Sequence, residues 1–196
     1  MELPVFPLNG AILLPGTNLP LNIFEKKYIQ MIDYALANDR QIGMIQTKKN
    51  NSFFKIGCIG KITKFEETSD GRYQINLEGI DRFKFLEKIV TNYKFIMINA
   101  KIAKQKPYIS IESSILNKKL LLNFKNFLDA KNIKFDTSKF KSLNTISLAK
   151  IICVISPLDY LIKQMLLEFD KEEDFCKSLI SVLEIEMNNL ENSKTN

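Results

Sequence analysis

The chain has 196 residues, 45% of them hydrophobic and 26% charged, with 28 Lys plus Arg against 22 Asp plus Glu and a formal net charge of +6. Such a composition lies near the average of soluble globular domains, which excludes a disordered or fibrous chain, and the length allows one large domain or two small subdomains. Histidine is absent, and with it go Ser-His-Asp and Cys-His nucleophile systems, His-ligated zinc and proton shuttling by an imidazole.

All seven glycines lie between Gly10 and Gly79, so turn chemistry is concentrated early and helix-compatible sequence late. Short strands are expected at residues 3–6 and 12–14, followed by a tight turn at Pro15-Gly16. A helix is expected over 25–38, because Tyr28, Met31, Ile32, Ala35 and Leu36 recur at helical spacing while Lys26, Lys27, Gln30 and Asp33 lie elsewhere. Residues 42–46 and 55–67 read as strands, and Ser69-Asp70-Gly71 is a hairpin turn signal. Beyond it Tyr73, Ile75 and Leu77 alternate with polar residues from Arg72 to Glu78, the period-2 pattern of a half-buried strand. Further strands are expected at 82–89 and 93–102. So many short strands imply a strongly curled sheet or barrel, with the one helix covering an open side.

Pro107 marks the expected boundary between a β-rich subdomain, 1–107, and a helical subdomain, 108–191. Ile111, Ile115, Leu120, Phe124 and Phe127 form an apolar stripe, 131–142 reads as a loop, and a helix is expected over 145–155. Ser156-Pro157 looks like a helix start, with a hydroxyl cap and proline in the first turn. Asp170-Lys171-Glu172-Glu173 is another, with acids at the positive end of the helix dipole. The last helix should bury Phe175, Leu179, Val182, Leu183, Met187 and Leu190, and the tail 192–196 should fray.

Charge is uneven along the chain. Residues 101–141 carry 10 Lys against 3 acids, whereas 157–191 carry 3 Lys against 9. The basic stretch could be a nucleic-acid footprint, but neighbouring acidic helices could face it and cancel its field, and the second reading is preferred. Cys58, Cys153 and Cys176 are odd in number and never in C-x-x-C spacing, so they read as core thiols, and neither a metal nor a cofactor is expected. No phosphate loop or Rossmann glycine fingerprint occurs, so ATP hydrolysis is not encoded. Gly57-Cys58-Ile59-Gly60 reads as twisted strand, and Tyr73, Phe83 and Phe85 read as inward-facing core before they read as a base-stacking platform. No apolar run approaches the roughly 18 residues of a membrane span. The opening Met1-Glu2-Leu3-Pro4 lacks the basic start of a signal peptide, so a cytoplasmic protein without a membrane partner is expected.

The segments Leu3-Pro4-Val5-Phe6-Pro7-Leu8, Leu14-Pro15-Gly16 and Leu19-Pro20-Leu21-Asn22-Ile23-Phe24-Glu25 with Tyr28 closely resemble the opening of the Lon protease substrate-binding domain. The likeness continues through Ile42-Gly43-Met44-Ile45-Gln46, Ile56-Gly57-Cys58-Ile59-Gly60-Lys61-Ile62, Asp70-Gly71-Arg72-Tyr73 and Leu77-Glu78-Gly79-Ile80-Asp81-Arg82-Phe83. Lys163-Gln164-Met165-Leu166-Leu167-Glu168 resembles the family's late-helix signature, while the usual tryptophan ahead of the late helices is missing. The resemblance implies an α+β fold: a PUA-like β pseudo-barrel with one inserted helix, followed by a C-terminal helical bundle. It also implies that in full-length Lon such a domain precedes an ATPase and a Ser-Lys protease domain and helps capture unfolded or tagged proteins.

The expected function is therefore non-catalytic recognition of unfolded or extended polypeptide, in company with protease or chaperone machinery. RNA binding through the barrel and the basic 101–141 segment is the alternative. Peptide capture needs exposed apolar surface, and the expected place is a cleft between barrel and helices lined by Leu13, Leu14, Phe24, Tyr28 and Met31. Glu25 and Arg82, charged residues inside apolar motif sequence, are expected to pair with each other.

Overall fold

The computed structural model describes residues 1–107, 113–140 and 142–194. The chain divides into two compact units, residues 1–104 with 159–168, and residues 105–158 with those from Phe169 onward.

The first unit holds six strands, β1 (Glu2–Pro7), β2 (Asn18–Ile23), β3 (Gln41–Ile45), β4 (Ile56–Glu67), β5 (Tyr73–Ile89) and β6 (Ile96–Ile102), with α1 (Lys26–Ala37) between β2 and β3. They form one mixed sheet in the order β2-β5-β4-β3-β1-β6. Only β1 and β3 run parallel, with Val5 opposite Gly43. β5 spans 17 residues and changes partner along its length. Its first half pairs with β2, from Tyr73 opposite Ile23 to Glu78 opposite Asn18. Its second half pairs with β6, from Phe83 opposite Ile102 to Ile89 opposite Met97, which closes β5, β4, β3, β1 and β6 into a pseudo-barrel and leaves β2 outside it.

Three register shifts bend the sheet enough to close. They leave Ile80 and Thr63 unmatched between β5 and β4, and Leu86 unmatched between β5 and β6. An unmatched residue kinks its strand and sharpens the local twist, and all three are exposed.

Strand alternation then sorts side chains into two cores. Leu3, Val5, Ile45, Ile59, Phe83 and Ile98 pack together as one. On the opposite face of the same strands Phe6, Ile42, Met44 and Cys58 pack with Ile23, Ile75 and Leu77 and with Met31, Ile32 and Ala35 of α1. Each fully buried Leu, Ile or Phe side chain contributes about 1.5–3 kcal/mol by leaving water, so the amphipathic face of α1 is held by its apolar stripe.

Two sequence expectations change here. Residues 12–14 form no strand, because the backbone of Leu14 is satisfied without a ladder: its N–H donates to Thr17 Oγ1 at 3.1 Å and its carbonyl accepts from that hydroxyl at 2.8 Å. The turn at Pro15-Gly16 follows, with Thr17 N–H donating to Leu14 O at 3.0 Å and Gly16 at φ +82°. The two strands expected over 72–78 and 82–89 are one, Tyr73–Ile89, since Gly79-Ile80-Asp81 is absorbed as a bulge instead of turning the chain.

The second unit contains α2 (Ser113–Ala130), a 3₁₀ turn (Ser138–Phe140), α3 (Thr145–Ile155) and α5 (Glu172–Lys194). Leu120, Phe124, Phe127, Leu148, Ile152, Phe175, Leu179 and Leu183 are buried, and Cys153 and Cys176 lie among the buried set. Asn144 caps α3, its side chain accepting from Ser147 N–H at 2.9 Å. Ile111 of the expected stripe lies outside the described residues. So do positions 195 and 196 of the expected frayed tail, whose residues 192–194 continue α5.

Ser156 does not start a helix. It ends α3, donating from Oγ to Ile152 O at 2.6 Å, in the extended conformation that a following proline favours. The next helix, α4 (Tyr160–Glu168), begins after Asp159, whose carboxylate accepts from Leu161 N–H at 2.7 Å. Although α4 sits within the helical half of the sequence, it belongs to the sheet unit. Gln164 Nε2 donates to Ile56 O of β4 at 3.0 Å, and Leu167 O accepts from Arg82 on β5 at 2.9 Å. Hydrogen bonding from side chains far apart in sequence therefore overrides the linear division at Pro107.

Candidate functional site

Because β2 lies outside the pseudo-barrel, the segment β2-β5-β4 forms a twisted three-stranded sheet with an open face. Its register places Pro20 opposite Asn76 and Asn76 opposite Lys64, then Asn22 opposite Gln74 and Gln74 opposite Glu66. Curvature of these strands creates a concavity of about 750 Å³ lined by these residues together with Leu21, Thr63, Phe65 and Ile75.

The amide and hydroxyl side chains of this surface are held in place. Asn76 Nδ2 donates to Asn18 Oδ1 at 2.9 Å and to Thr63 Oγ1 at 3.0 Å. The Thr63 hydroxyl in turn donates to Asn76 O at 3.2 Å. Thr63 can serve this network because the bulge leaves it unmatched in the ladder. Phe65 is 40% exposed and packs edge-on against Tyr73, the ring centroids 4.9 Å apart. Tyr73 donates from its hydroxyl to Asp33 of α1 at 2.9 Å. Burial, then the hydrogen bond to Asp33, push the Tyr73 phenol above its ordinary pKa.

The charges of this surface balance: Lys64 and Glu66 lie on the same stretch of β4. Alternation puts the side chains of Pro20, Asn22, Lys64, Glu66, Gln74 and Asn76 on this face, while Leu21, Ile75 and Phe65 contribute only from its margins: Ile75 is buried in the core on the α1 side, Leu21 packs against it, and Phe65 packs on Tyr73. Such a face, neutral in sum and rich in amide and hydroxyl groups, suits a partner with an amide backbone better than it suits an anion. Among the described residues no group of three or more His, Cys, Asp or Glu side chains could hold a metal ion, and no helix is long and apolar enough to cross a membrane.

Of the residues expected to bind, Leu13, Leu14 and Met31 are buried in the core, where a guest chain could touch them only by opening the fold. Tyr28 is half-buried, its ring 4.3 Å from that of Phe6. Phe24 alone is open to solvent, 66% exposed one residue past the end of β2. Nor do Glu25 and Arg82 form the expected pair. Glu25 sits at the surface with Lys27 at 3.0 Å, whereas Arg82 is buried and donates from Nε to Ala103 O and from Nη1 to Leu167 O. Two carbonyl oxygens, and not that carboxylate, are among its partners.

The concave face itself was not assigned from sequence. Leu19-Pro20-Leu21 is legible as motif, but nothing local says that β2 has a partner on one side only. Alternation does place Gln74 and Asn76 at the surface, without showing that Thr63 and Pro20 sit beside them. The basic stretch also changes meaning in three dimensions: Lys119 of α2 lies 3.2 Å from Glu184 of α5, and Asn123 donates to the same carboxylate at 2.9 Å. Part of its charge is thus met within its own unit.

This α+β architecture, a mixed six-stranded sheet with five helices among the described residues, is the fold of Lon protease amino-terminal domains. The N-terminal domain of the Mycobacterium avium complex Lon protease matches with a TM-score of 0.71 and 19% identity, over 94% of this chain and 98% of that one. A Lon N-terminal domain protein from Xanthomonas campestris matches at 0.69 and 19%, over 92% and 98%. The chain belongs to the family of the ATP-dependent protease La (LON) substrate-binding domain, whose model matches residues 2–184. Lon protease of Buchnera aphidicola subsp. Schizaphis graminum is 25% identical over 99% of this chain, and Lon protease 2 of Herpetosiphon aurantiacus is 24% identical over 97%. The chain spans only about a quarter of the length of these relatives, 26% and 24%.

Proposed function

We propose that this chain binds unfolded or extended polypeptide on the concave face of β2, β5 and β4 and presents it to protease or chaperone machinery in the cytoplasm, without performing catalysis itself. The carrying observation is the composition of that face, where Pro20 lies among groups that donate and accept hydrogen bonds, Asn22, Thr63, Gln74 and Asn76, with Lys64 and Glu66 balancing each other's charge. Unfolded clients offer unpaired backbone amides whatever their sequence, so a shallow surface rich in donors and acceptors can hold many sequences weakly. Membership of a substrate-binding family supports the same reading.

The test is to titrate the chain with a reduced, alkylated, permanently unfolded protein and with single-stranded RNA, each at low and high salt. Polypeptide should bind with little salt dependence, and Gln74→Ala should weaken it. Tight RNA binding that collapses as salt rises, with no polypeptide binding, would replace this reading by an electrostatic one.

A further inference from the structure

We propose that the free edge of β2 receives the guest polypeptide as an added strand, so that the guest is held by its backbone as well as by its side chains. The proposal rests on the reading of the concave face as a polypeptide-binding surface and names how that surface recognises its client.

The orientation of the β2 backbone follows from its one ladder. Among the described residues β2 pairs only with β5, with which it runs antiparallel. Thr17 O accepts from Gly79 N–H at 2.9 Å. In an antiparallel pair, residues that exchange hydrogen bonds with the partner alternate with residues whose N–H and C=O point the other way. With Thr17 bonded to β5, the bonded set continues through Leu19, Leu21 and Ile23, opposite Leu77, Ile75 and Tyr73. Asn18, Pro20 and Asn22 therefore direct their backbone groups away from β5, towards the unpaired edge. All three are exposed.

This edge has a defined hydrogen-bond pattern. It offers carbonyl acceptors at Asn18, Pro20 and Asn22 but N–H donors only at Asn18 and Asn22, because proline has none. An unbroken run of donors and acceptors would invite indiscriminate pairing between copies, and proline on an edge strand suppresses it. Here the suppression is partial: an incoming strand can still donate to all three carbonyls. Pro20 and Asn22 also line the concavity, so guest side chains opposite them would share its face and extend its floor by one strand. A few backbone bonds, indifferent to sequence and interrupted at Pro20, give a contact that any extended segment can make and readily leave.

The experiment uses the full chain and a short synthetic peptide of alternating Val and Thr with Lys at each end, labelled for anisotropy. Two further peptides carry N-methyl groups at alternate backbone positions, in opposite phases. Strand addition predicts asymmetry: the phase that removes donors facing β2 loses roughly tenfold or more in affinity, the other phase little. Asn22→Pro, which deletes an outward donor while leaving the β2–β5 ladder intact, should also weaken the unmodified peptide several-fold. If that variant unfolds, the comparison of N-methylated peptides on the unaltered chain still decides. Equal affinity for all three peptides would overturn strand addition while leaving polypeptide binding intact. Binding of none of them, nor of the unfolded protein, would overturn the functional reading and this inference with it.

Discussion

The guanidinium of Arg82, on β5 and 1% exposed, donates from Nη1 to the carbonyl of Leu167 at the end of α4 across 2.9 Å. The last carbonyls of a helix lack intrahelical partners and carry its negative partial charge. A buried, permanently charged fork placed there satisfies the helix end and neutralises the dipole at once. Its Nε adds a bond to Ala103 O at 3.1 Å, so a single side chain links β5, α4 and the segment leaving β6.

Replacing Arg82 by Met should keep the volume of the stem and orphan both carbonyls. The expected cost is about 2–4 kcal/mol, because each unsatisfied buried group costs about 1–3 kcal/mol. Arg82→Lys should fall between, retaining charge but not the fork. Urea unfolding midpoints measure both, and a change in Arg82→Met below about 0.5 kcal/mol, the scale of ordinary surface substitutions, would contradict this account.

Gly79→Ala should be among the most damaging small substitutions in the chain. A Cβ at Gly79 would lie 2.1 Å from Leu14 O, and backbone bonds from Gly16 N–H to Gly79 O at 2.8 Å and from Gly79 N–H to Thr17 O at 2.9 Å hold the two segments together. Because backbone and not a flexible side chain must yield, a loss of about 1–3 kcal/mol or more is expected, read from the thermal midpoint.

Substitutions on the concave face should separate binding from stability. Gln74→Ala trims an exposed side chain of this face, so the folded state should change by less than about 1 kcal/mol. Affinity for an unfolded protein should fall roughly tenfold, corresponding to about 1.4 kcal/mol. Leu13→Ser, by contrast, should unfold the chain, since Leu13 is buried.

Two ionisable groups of the β4–β5 hairpin should respond to pH in opposite directions. The Thr68 hydroxyl, then the neighbouring backbone N–H groups and Arg72, hold the Asp70 carboxyl below its ordinary value. Its contribution is present above the unfolded carboxyl pKa and is lost as pH falls through the lower folded one. Tyr73 is raised, so its contribution is present below the unfolded phenol pKa and is lost as pH rises through the higher folded one. Carboxyl and ring NMR titrations of the native chain should find Asp70 titrating low and Tyr73 titrating high, and Tyr73→Phe should remove the alkaline transition.

The thiol of Cys176 should be inert in the native state. Burial, then the nearby Glu172 carboxylate, push its pKa up to about 12, and the thiolate is the reactive form. Alkylation at neutral pH should label it only after unfolding; rapid labelling of the folded chain would show that this helical unit opens readily.

Much of the fold is readable from local pattern because its causes are local. Tyr73, Ile75 and Leu77 alternate, Met31, Ile32 and Ala35 recur at helical spacing, and Gly71 at φ +79° turns the hairpin where Ser69-Asp70-Gly71 predicts it. The helix over 145–155 has the same bounds as α3, with Asn144 as its cap. Some failures occur where a side-chain hydrogen bond, which residue periodicity does not register, supplies the cause. Residues 12–14 look like a strand until the Thr17 side chain takes over the hydrogen bonds of Leu14. Ser156-Pro157 looks like a helix start until the Ser156 hydroxyl turns back to Ile152.

The amino-acid order by itself determined the α+β class, the inserted helix, the buried thiols and the likeness to a Lon substrate-binding domain, because periodicity, turn residues and motif spacing are properties of neighbours along the chain. Only the tertiary structure decided that α4 joins the sheet unit, that Arg82 serves carbonyls instead of Glu25, and that β2 stands outside the closed strands with its far edge open. Those outcomes depend on which hydrogen-bonding groups are left over after every strand has found its neighbours, and that remainder exists only once the chain has folded.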